Sequence, residues 1–387
     1  MISDFSANRI KVMGTSIFST MSRLAFENKA INLGQGYPDF DGPQWLIDEA
    51  YKCMKEGKNQ YAPTQGILSL RKAISEMQKK YYALEWNPDN EITITAGATE
   101  SLYSTFQALI NEGDEVIMFE PFYDSYQADV VLAGGILKYV TLKKPDFNFD
   151  INELEQAISD KTKFIVINTP HNPTGKVYSI DELKFISHLA IKHNLLVVSD
   201  EVYEFLTFDN AKHIPIASLP GMKDRTITIS SAGKTFSMTG WKIGWAIASE
   251  QLTDAIRKVH QWTTFAVNTP GQHAIAYAFT KLNEYLPGFR NEYLERRNLL
   301  LNELRTTSFN AHIPEGSYFM MVDIPELVKL NDEKIAIELV KNYKIATIPP
   351  SVFYGKSDEG KKMLRLCFAK SNETLIAGAE NLRKFKI

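Results

Sequence analysis

The chain of 387 residues is 44% hydrophobic and 23% charged, with 43 Lys+Arg against 46 Asp+Glu and a formal net charge of -3. That balance gives no electrostatic footprint for nucleic acid or an anionic membrane surface. At roughly 150 residues per domain, the length predicts two or three domains able to bury a core without cross-links. Two cysteines, Cys53 and Cys367, exclude a secreted disulfide scaffold and a cysteine-rich zinc site, and seven scattered histidines form no metal-binding pattern.

Residues 1–10 carry Asp4 and Arg9 where a signal peptide needs an apolar stretch, and no run approaches ~18 apolar residues, so a cytoplasmic protein with no membrane span is expected. The first 45 residues show little regular pattern beyond Gly34-Gln35-Gly36-Tyr37-Pro38 and read as a turn-rich arm. Residues 91–95, 115–119, 163–168, 195–199, 226–230 and 243–248 read as strands, most of them almost continuously apolar, as strands covered on both faces are. Amphipathic stretches at 99–111 and 180–194 are long enough for crossover helices. The alternation predicts a mostly parallel, layered α/β domain.

Beyond residue 248 the pattern is helical to about residue 306, with breaks expected near Thr269-Pro270 and Pro287-Gly288. Strand-like segments at 318–324, 345–348 and 363–368 alternate with helical ones and suggest a smaller α+β domain. The expected division is a large domain at 46–280, with 1–45 and 281–387 forming an N-terminal arm plus a small C-terminal domain. No repeat or low-complexity linker interrupts it.

Two chemistries compete for the segment Ser230-Ser231-Ala232-Gly233-Lys234-Thr235. Gly-Lys-Thr resembles the end of a nucleotide-binding phosphate loop, but that loop needs a glycine where Thr228 stands, and the acidic strand ending in Asp200-Glu201 precedes the lysine in the wrong order. An ATPase is therefore a distant alternative. A lysine shielded from water at a strand end can instead lower its pKa and form an imine with an aldehyde. If the aldehyde is pyridoxal phosphate, the site also needs an anion for the pyridine nitrogen, an aromatic ring for the pyridine face and donors for the phosphate. Taken alone, Lys234 reads as a solvated loop lysine, the commoner state of that residue, and its Ser, Gly and Thr neighbours just after an apolar strand shift the balance without deciding it.

Asn168-Thr169-Pro170-His171-Asn172-Pro173-Thr174-Gly175, Ser199-Asp200-Glu201-Val202-Tyr203 and Ser231-Ala232-Gly233-Lys234 through Thr239-Gly240-Trp241-Lys242 occur in order along the chain. Together they resemble the fold type I, class I/II aminotransferases, within them the methionine aminotransferase and kynurenine/glutamine aminotransferase branch. The similarity runs from Asn32-Leu33-Gly34-Gln35-Gly36 to Arg365-Leu366-Cys367-Phe368. It implies an aspartate aminotransferase-like, three-layer mostly parallel sheet domain that binds pyridoxal 5'-phosphate, with a smaller α+β domain.

The resemblance also implies roles. Lys234 would carry the cofactor's imine and then move the substrate α-proton. Asp200 would hold the pyridine nitrogen protonated, while Tyr203 and Asn172 would bond the phenolic oxygen and Tyr123 would stack on the ring. Gly97, Ala98 and Thr99, opening a helix after a strand, would meet the phosphate with Ser231 and Lys242, the last standing where many relatives have arginine. Tyr61 would reach the phosphate of the neighbouring subunit, making a homodimer with shared sites. Arg365 would clamp the substrate α-carboxylate, with Gly36 and Asn172 on its other side and Phe18 at the mouth.

The implied reaction moves the amino group of methionine, glutamine or aromatic amino acids to a 2-oxo acid in two half-reactions. Kynurenine–oxoglutarate transamination and β-elimination from cysteine S-conjugates remain alternatives on the same scaffold. Relatives acting on aspartate bring a second arginine from a segment corresponding to the region after Lys258. Here residues 259–280 contain no lysine or arginine but do contain Trp262 and Phe265. Thr99 stands where kynurenine-active relatives often have tyrosine, which favours methionine, glutamine and aromatic donors.

Overall fold

The computed structural model describes residues 5–11 and 13–385. Residues 1–4 of the expected arm and the last two of the chain lie outside the described residues. Twelve strands occur among those described: β1 (Ile31–Asn32), β2 (Ile92–Thr95), β3 (Glu115–Glu120), β4 (Ile136–Thr141), β5 (Thr162–Asn168), β6 (Leu196–Asp200), β7 (Thr226–Ser231), β8 (Gly244–Ile247), β9 (Asn310–Ala311), β10 (Phe319–Asp323), β11 (Ile345–Ala346) and β12 (Met363–Cys367).

Seven of them form one sheet in the order β2-β8-β7-β6-β5-β3-β4. Only β8 runs against its neighbours, pairing antiparallel with both β2 and β7. The other contacts, β7·β6, β6·β5, β5·β3 and β3·β4, are parallel. The α/β architecture expected from the apolar runs is therefore the observed one. β3, β6 and β7 are buried along almost their whole length because helices cover both faces. The crossover helix Ile180–Lys192 begins with a reciprocal capping box formed by Ser179 and Glu182.

Register decides where the chemistry gathers. Asn168 at the end of β5 pairs with Asp200 at the end of β6, and both Thr95 of β2 and Ser231 of β7 pair with Gly244 of β8. The carboxyl ends of β2, β5, β6 and β7 thus share one edge, where the following loops leave the sheet and ligands bind in open α/β folds. Elsewhere, β12, β10 and β9 form an antiparallel sheet and β1 pairs parallel with β11. Met321 faces Arg365 and Phe319 faces Cys367 in the β10·β12 register.

Three expectations are corrected. The first 45 residues are not only turns, because Ile17–Glu27 is a helix capped by Ser16, whose Oγ accepts from the amide of Phe18. It buries only Met21 and Ala25, so its apolar stripe lies mostly at the surface of the chain. β4 was not expected; it is the sheet's edge strand and is half-solvated at its start, so it lacks the apolar signature of the others. The expected break at Pro287-Gly288 does not occur, and one helix spans Leu282–Leu304. Pro287 sits on its exposed side, where the carbonyl it leaves unbonded meets solvent, while Leu286, Phe289 and Tyr293 anchor the opposite face.

Among the described residues no helix is long and apolar enough to cross a membrane, and no group of three or more His, Cys, Asp or Glu is placed to hold a metal. Cys53 and Cys367 are both buried and free.

Candidate active site

A cavity of about 260 Å³ opens at the carboxyl edge of the large sheet. Every site residue singled out from the sequence lines it, except Tyr61. Tyr61 is instead 82% exposed, its ring edge-on to Phe265 at 5.4 Å.

Lys234 follows β7 on the four-residue helix Ala232–Thr235, which holds it at the cavity wall. Its Nζ donates to the Tyr318 hydroxyl at 2.7 Å and more weakly to the Gly36 carbonyl at 3.4 Å. Desolvation pulls its pKa down from 10.5 to about 8, because a buried ammonium loses hydration that these few acceptors only partly replace. The Tyr203 ring lies 5.6 Å from the same nitrogen.

Asp200 ends β6 and is 4% exposed. Burial pushes its carboxyl up to about 6, against the opposing pull of a 2.6 Å bond from the Tyr126 hydroxyl and a 3.2 Å bond from the Val202 amide. Asn168 braces the strand end, with its side-chain amide donating to the Asp200 carbonyl at 2.9 Å and its Oδ1 accepting from the Asn172 amide at 2.7 Å. Tyr123 and Tyr126 meet edge-to-face at 5.6 Å, and burial raises the Tyr123 hydroxyl to about 12.

Gly97 precedes the helix Ala98–Leu109 with φ of +78°, a conformation that favours glycine. A Cβ there would stand 3.1 Å from Lys242 Nζ, so the missing side chain lets an ammonium lie against the helix N-terminus. The amides of Ala98 and Thr99 precede that helix's own hydrogen-bond ladder, and Ser231 borders the same end of the cavity. The result is a cradle of N–H groups, a hydroxyl and a cation, the donor set a phosphate dianion requires.

At the opposite side, Arg365 on β12 is only 1% exposed. Its Nη1 donates to Asn172 Oδ1 at 3.0 Å and its Nη2 to the Gly34 carbonyl at 2.8 Å, while its buried Nε has no partner among the described residues. Phe319, Phe18 and Phe353 surround the guanidinium at 4.1, 5.0 and 5.5 Å. A buried cation with a donor still free, walled by aromatic rings, suits an anionic group attached to an otherwise apolar molecule.

The residues fit pyridoxal phosphate on these grounds: a phosphate cradle, an anion at a strand end, aromatic walls and a desolvated lysine share one small cavity. Sequence reasoning missed Tyr126, Tyr318 and Phe319. Tyr126 lies one helical turn after Tyr123, a spacing that puts both on one face. Tyr318 and Phe319 carried no comparable signal, because only the folded chain brings Phe319 to Arg365 and Tyr318 to Lys234. Thr228 lies within β7 against Ile247, not in a glycine loop, and no phosphate loop of the ATPase kind forms there.

Comparison with known proteins agrees. The family profile for aminotransferase class I and II matches residues 28–382. A methionine aminotransferase of Escherichia coli (strain K12) is 40% identical over 97% of both chains. A kynurenine–oxoglutarate transaminase of Dictyostelium discoideum is also 40% identical, over 96% of this chain and 94% of its own. Among solved structures, that of an E. coli protein identified as a methionine aminotransferase superposes with a TM-score of 0.95 at 39% identity, covering 99% of this chain and 100% of the other. None of these lends support to nucleotide hydrolysis.

Proposed function

Because the chain belongs to the aminotransferase class I and II family and is a pyridoxal-phosphate-dependent transaminase, we propose that its donors are methionine, glutamine and aromatic amino acids. A 2-oxo acid takes the amino group in the second half of a ping-pong cycle. The observation that carries this reading is a buried Arg365 lining the cavity, with N–H donors left over after its bonds to Asn172 and Gly34, and a ring of phenylalanines around it. That arrangement receives an α-carboxylate while offering an apolar surround to the rest of the substrate.

Bound pyridoxal phosphate supplies an electron-poor ring that acidifies the substrate α-C–H. In this reading Lys234 tethers the cofactor and, when free, takes and returns the α-proton at Nζ. Its lowered pKa keeps a useful fraction neutral near pH 8. Asp200 holds a proton on the pyridine nitrogen, and Tyr203 and Asn172 orient the ring's phenolic oxygen. Gly97, Ala98, Thr99, Ser231 and Lys242 hold the phosphate, and Tyr123 covers one face of the ring. Arg365, Asn172 and Gly36 fix the substrate carboxylate, with Phe18 closing the mouth.

The same reading extends to a homodimer. Tyr61, Phe265 and Trp262 form an exposed aromatic surface, with Trp262 85% exposed, and a solvated tyrosine and tryptophan there are suited to burial by a second copy. Tyr61 then completes the partner's phosphate site. Residues 46–280 form the large cofactor-binding domain, with 1–45 and 281–387 as arm and small domain. Two free cysteines favour a reducing, cytoplasmic setting.

Residues 259–280 offer no lysine or arginine to a substrate side chain. An acidic side chain buried there unpaired would cost several kcal/mol by order of magnitude. Steady-state kinetics with methionine, phenylalanine, glutamine, kynurenine and aspartate test the reading. Methionine should exceed aspartate in kcat/KM by at least about tenfold; the reverse order would overturn it. Product analysis with a cysteine S-conjugate measures how far elimination competes with transfer.

A further inference from the structure

We propose that Tyr318 is a positioning residue for Lys234, holding the free amine so that its lone pair faces the cavity between proton transfers. The proposal rests on the reading of Lys234 as the group that moves the α-proton.

A tyrosine hydroxyl has a single proton and spare acceptor capacity. The Tyr318 hydroxyl lies 2.5 Å from the Gly36 carbonyl, which can only accept, and its other neighbour, the Tyr203 hydroxyl, also accepts rather than donates, so the Tyr318 proton points away from Lys234. The 2.7 Å contact with Lys234 must then run from nitrogen to Tyr318 Oη. A neutral lysine amine has two hydrogens and one lone pair. With the two hydrogens directed at Tyr318 Oη and the Gly36 carbonyl, the lone pair turns away from both, toward the space that Lys234, Asp200 and Tyr203 line.

Tyr318 is built to stay in place. It is 1% exposed, stacks on Tyr293 at 6.1 Å and meets the Tyr203 ring edge-on at 5.0 Å. It does not line the cavity itself but stands behind Lys234. Gly36 is fixed beside it, since a Cβ on Gly36 would come within 2.7 Å of the Phe319 ring. The other charged or titratable groups facing Lys234 are Asp200, Cys367, Lys242, Arg365 and Tyr203, whose ring lies 5.6 Å from Nζ, and none of them takes a hydrogen bond from it.

The test uses Tyr318→Phe in the full chain, with Tyr293→Phe as control. Phenylalanine keeps the packing of Tyr318 and removes only Oη, leaving one acceptor for the amine in place of two. The Tyr293 hydroxyl bonds Ser237 Oγ at 3.2 Å instead, so its loss spares Lys234. Both variants are saturated with pyridoxamine phosphate, which leaves Lys234 uncoupled, and trace acetylation of Lys234 is followed by mass spectrometry from pH 6 to 10. Tyr318→Phe should lower the labelling midpoint by half a pH unit or more and reduce kcat with methionine about tenfold at unchanged KM; Tyr293→Phe should do neither. A midpoint and kcat equal to those of the unaltered protein would overturn the proposal. Borohydride reduction of the pyridoxal form separates the two layers: cofactor fixed to another lysine would overturn the reading of Lys234, whereas fixation at Lys234 with an unmoved midpoint sinks the role of Tyr318 alone.

Discussion

The Tyr126 hydroxyl donates a 2.6 Å hydrogen bond to Oδ2 of Asp200, joining the helix Asp124–Leu132 to the end of β6. Desolvation alone would leave Asp200 poorly ionised near neutrality, and this bond opposes it. Tyr126→Phe should therefore raise the Asp200 pKa and move the acid limb of the kcat profile to higher pH. A pH–rate profile with methionine checks this, and an unmoved acid limb would reduce Tyr126 to packing. Asp200→Asn should keep the fold and some bound cofactor but lose at least about a hundredfold in kcat, because a neutral amide cannot stabilise a pyridinium as an anion does.

Arg365→Leu should weaken every amino acid and 2-oxo acid substrate together, since all present the same carboxylate to the same guanidinium. An increase of about a hundredfold in the KM for both methionine and its 2-oxo acid is expected. Primary amines lacking a carboxylate should be much less affected. An unchanged methionine KM would remove Arg365 from the substrate site.

How far the site was legible depended on where each residue sits. Lys234, Asp200 and Asn172 stand just after or at the ends of apolar strands, and the parallel register of those strands brings their ends to one edge. Arg365 was found only through the resemblance, because as an isolated residue it reads as an exposed edge-strand arginine, and its burial depends on Phe18, Phe319 and Phe353 arriving from three other segments. Tyr318 was illegible for the same reason: its contact with Lys234 spans 84 positions in the chain. The central sheet was read well where strands are buried on both faces. It was missed at β4, where the edge is half-solvated, and the helix through Pro287 was missed because tertiary packing overrides a local breaker.

Tyr61 should act across a subunit boundary. Mixing inactive Lys234→Ala chains with a severely impaired Tyr61→Phe variant should regenerate intact sites in hybrid dimers, up to about a quarter of normal activity by random pairing, because one site per hybrid is complete. Activity measured after demonstrated subunit exchange checks this. No recovery would mean that each chain builds its own site.

Asp129 supplies a pH signature outside the cavity. Its carboxyl is 5% exposed, with Oδ2 bonded to the Ser125 hydroxyl at 3.1 Å, and burial raises its pKa from 3.8 to about 7. A carboxyl raised on folding contributes stability that is fully present below its unfolded pKa and is lost as pH rises through the folded value. Asp129→Asn should thus be more stable than the unaltered protein at pH 8.5, by on the order of 2 kcal/mol, and the advantage should shrink at pH 5. Tm measured at both values decides it; equal pH dependence in the two proteins would contradict the assignment.

The central claim is that Lys234 is the cofactor's anchor. Borohydride reduction of the purified holoenzyme, followed by proteolysis and mass mapping, tests it most directly, because reduction fixes pyridoxal phosphate to the lysine that holds it. The account predicts a single phosphopyridoxyl modification at Lys234, absent from Lys234→Ala. A stoichiometric modification at any other lysine would contradict it.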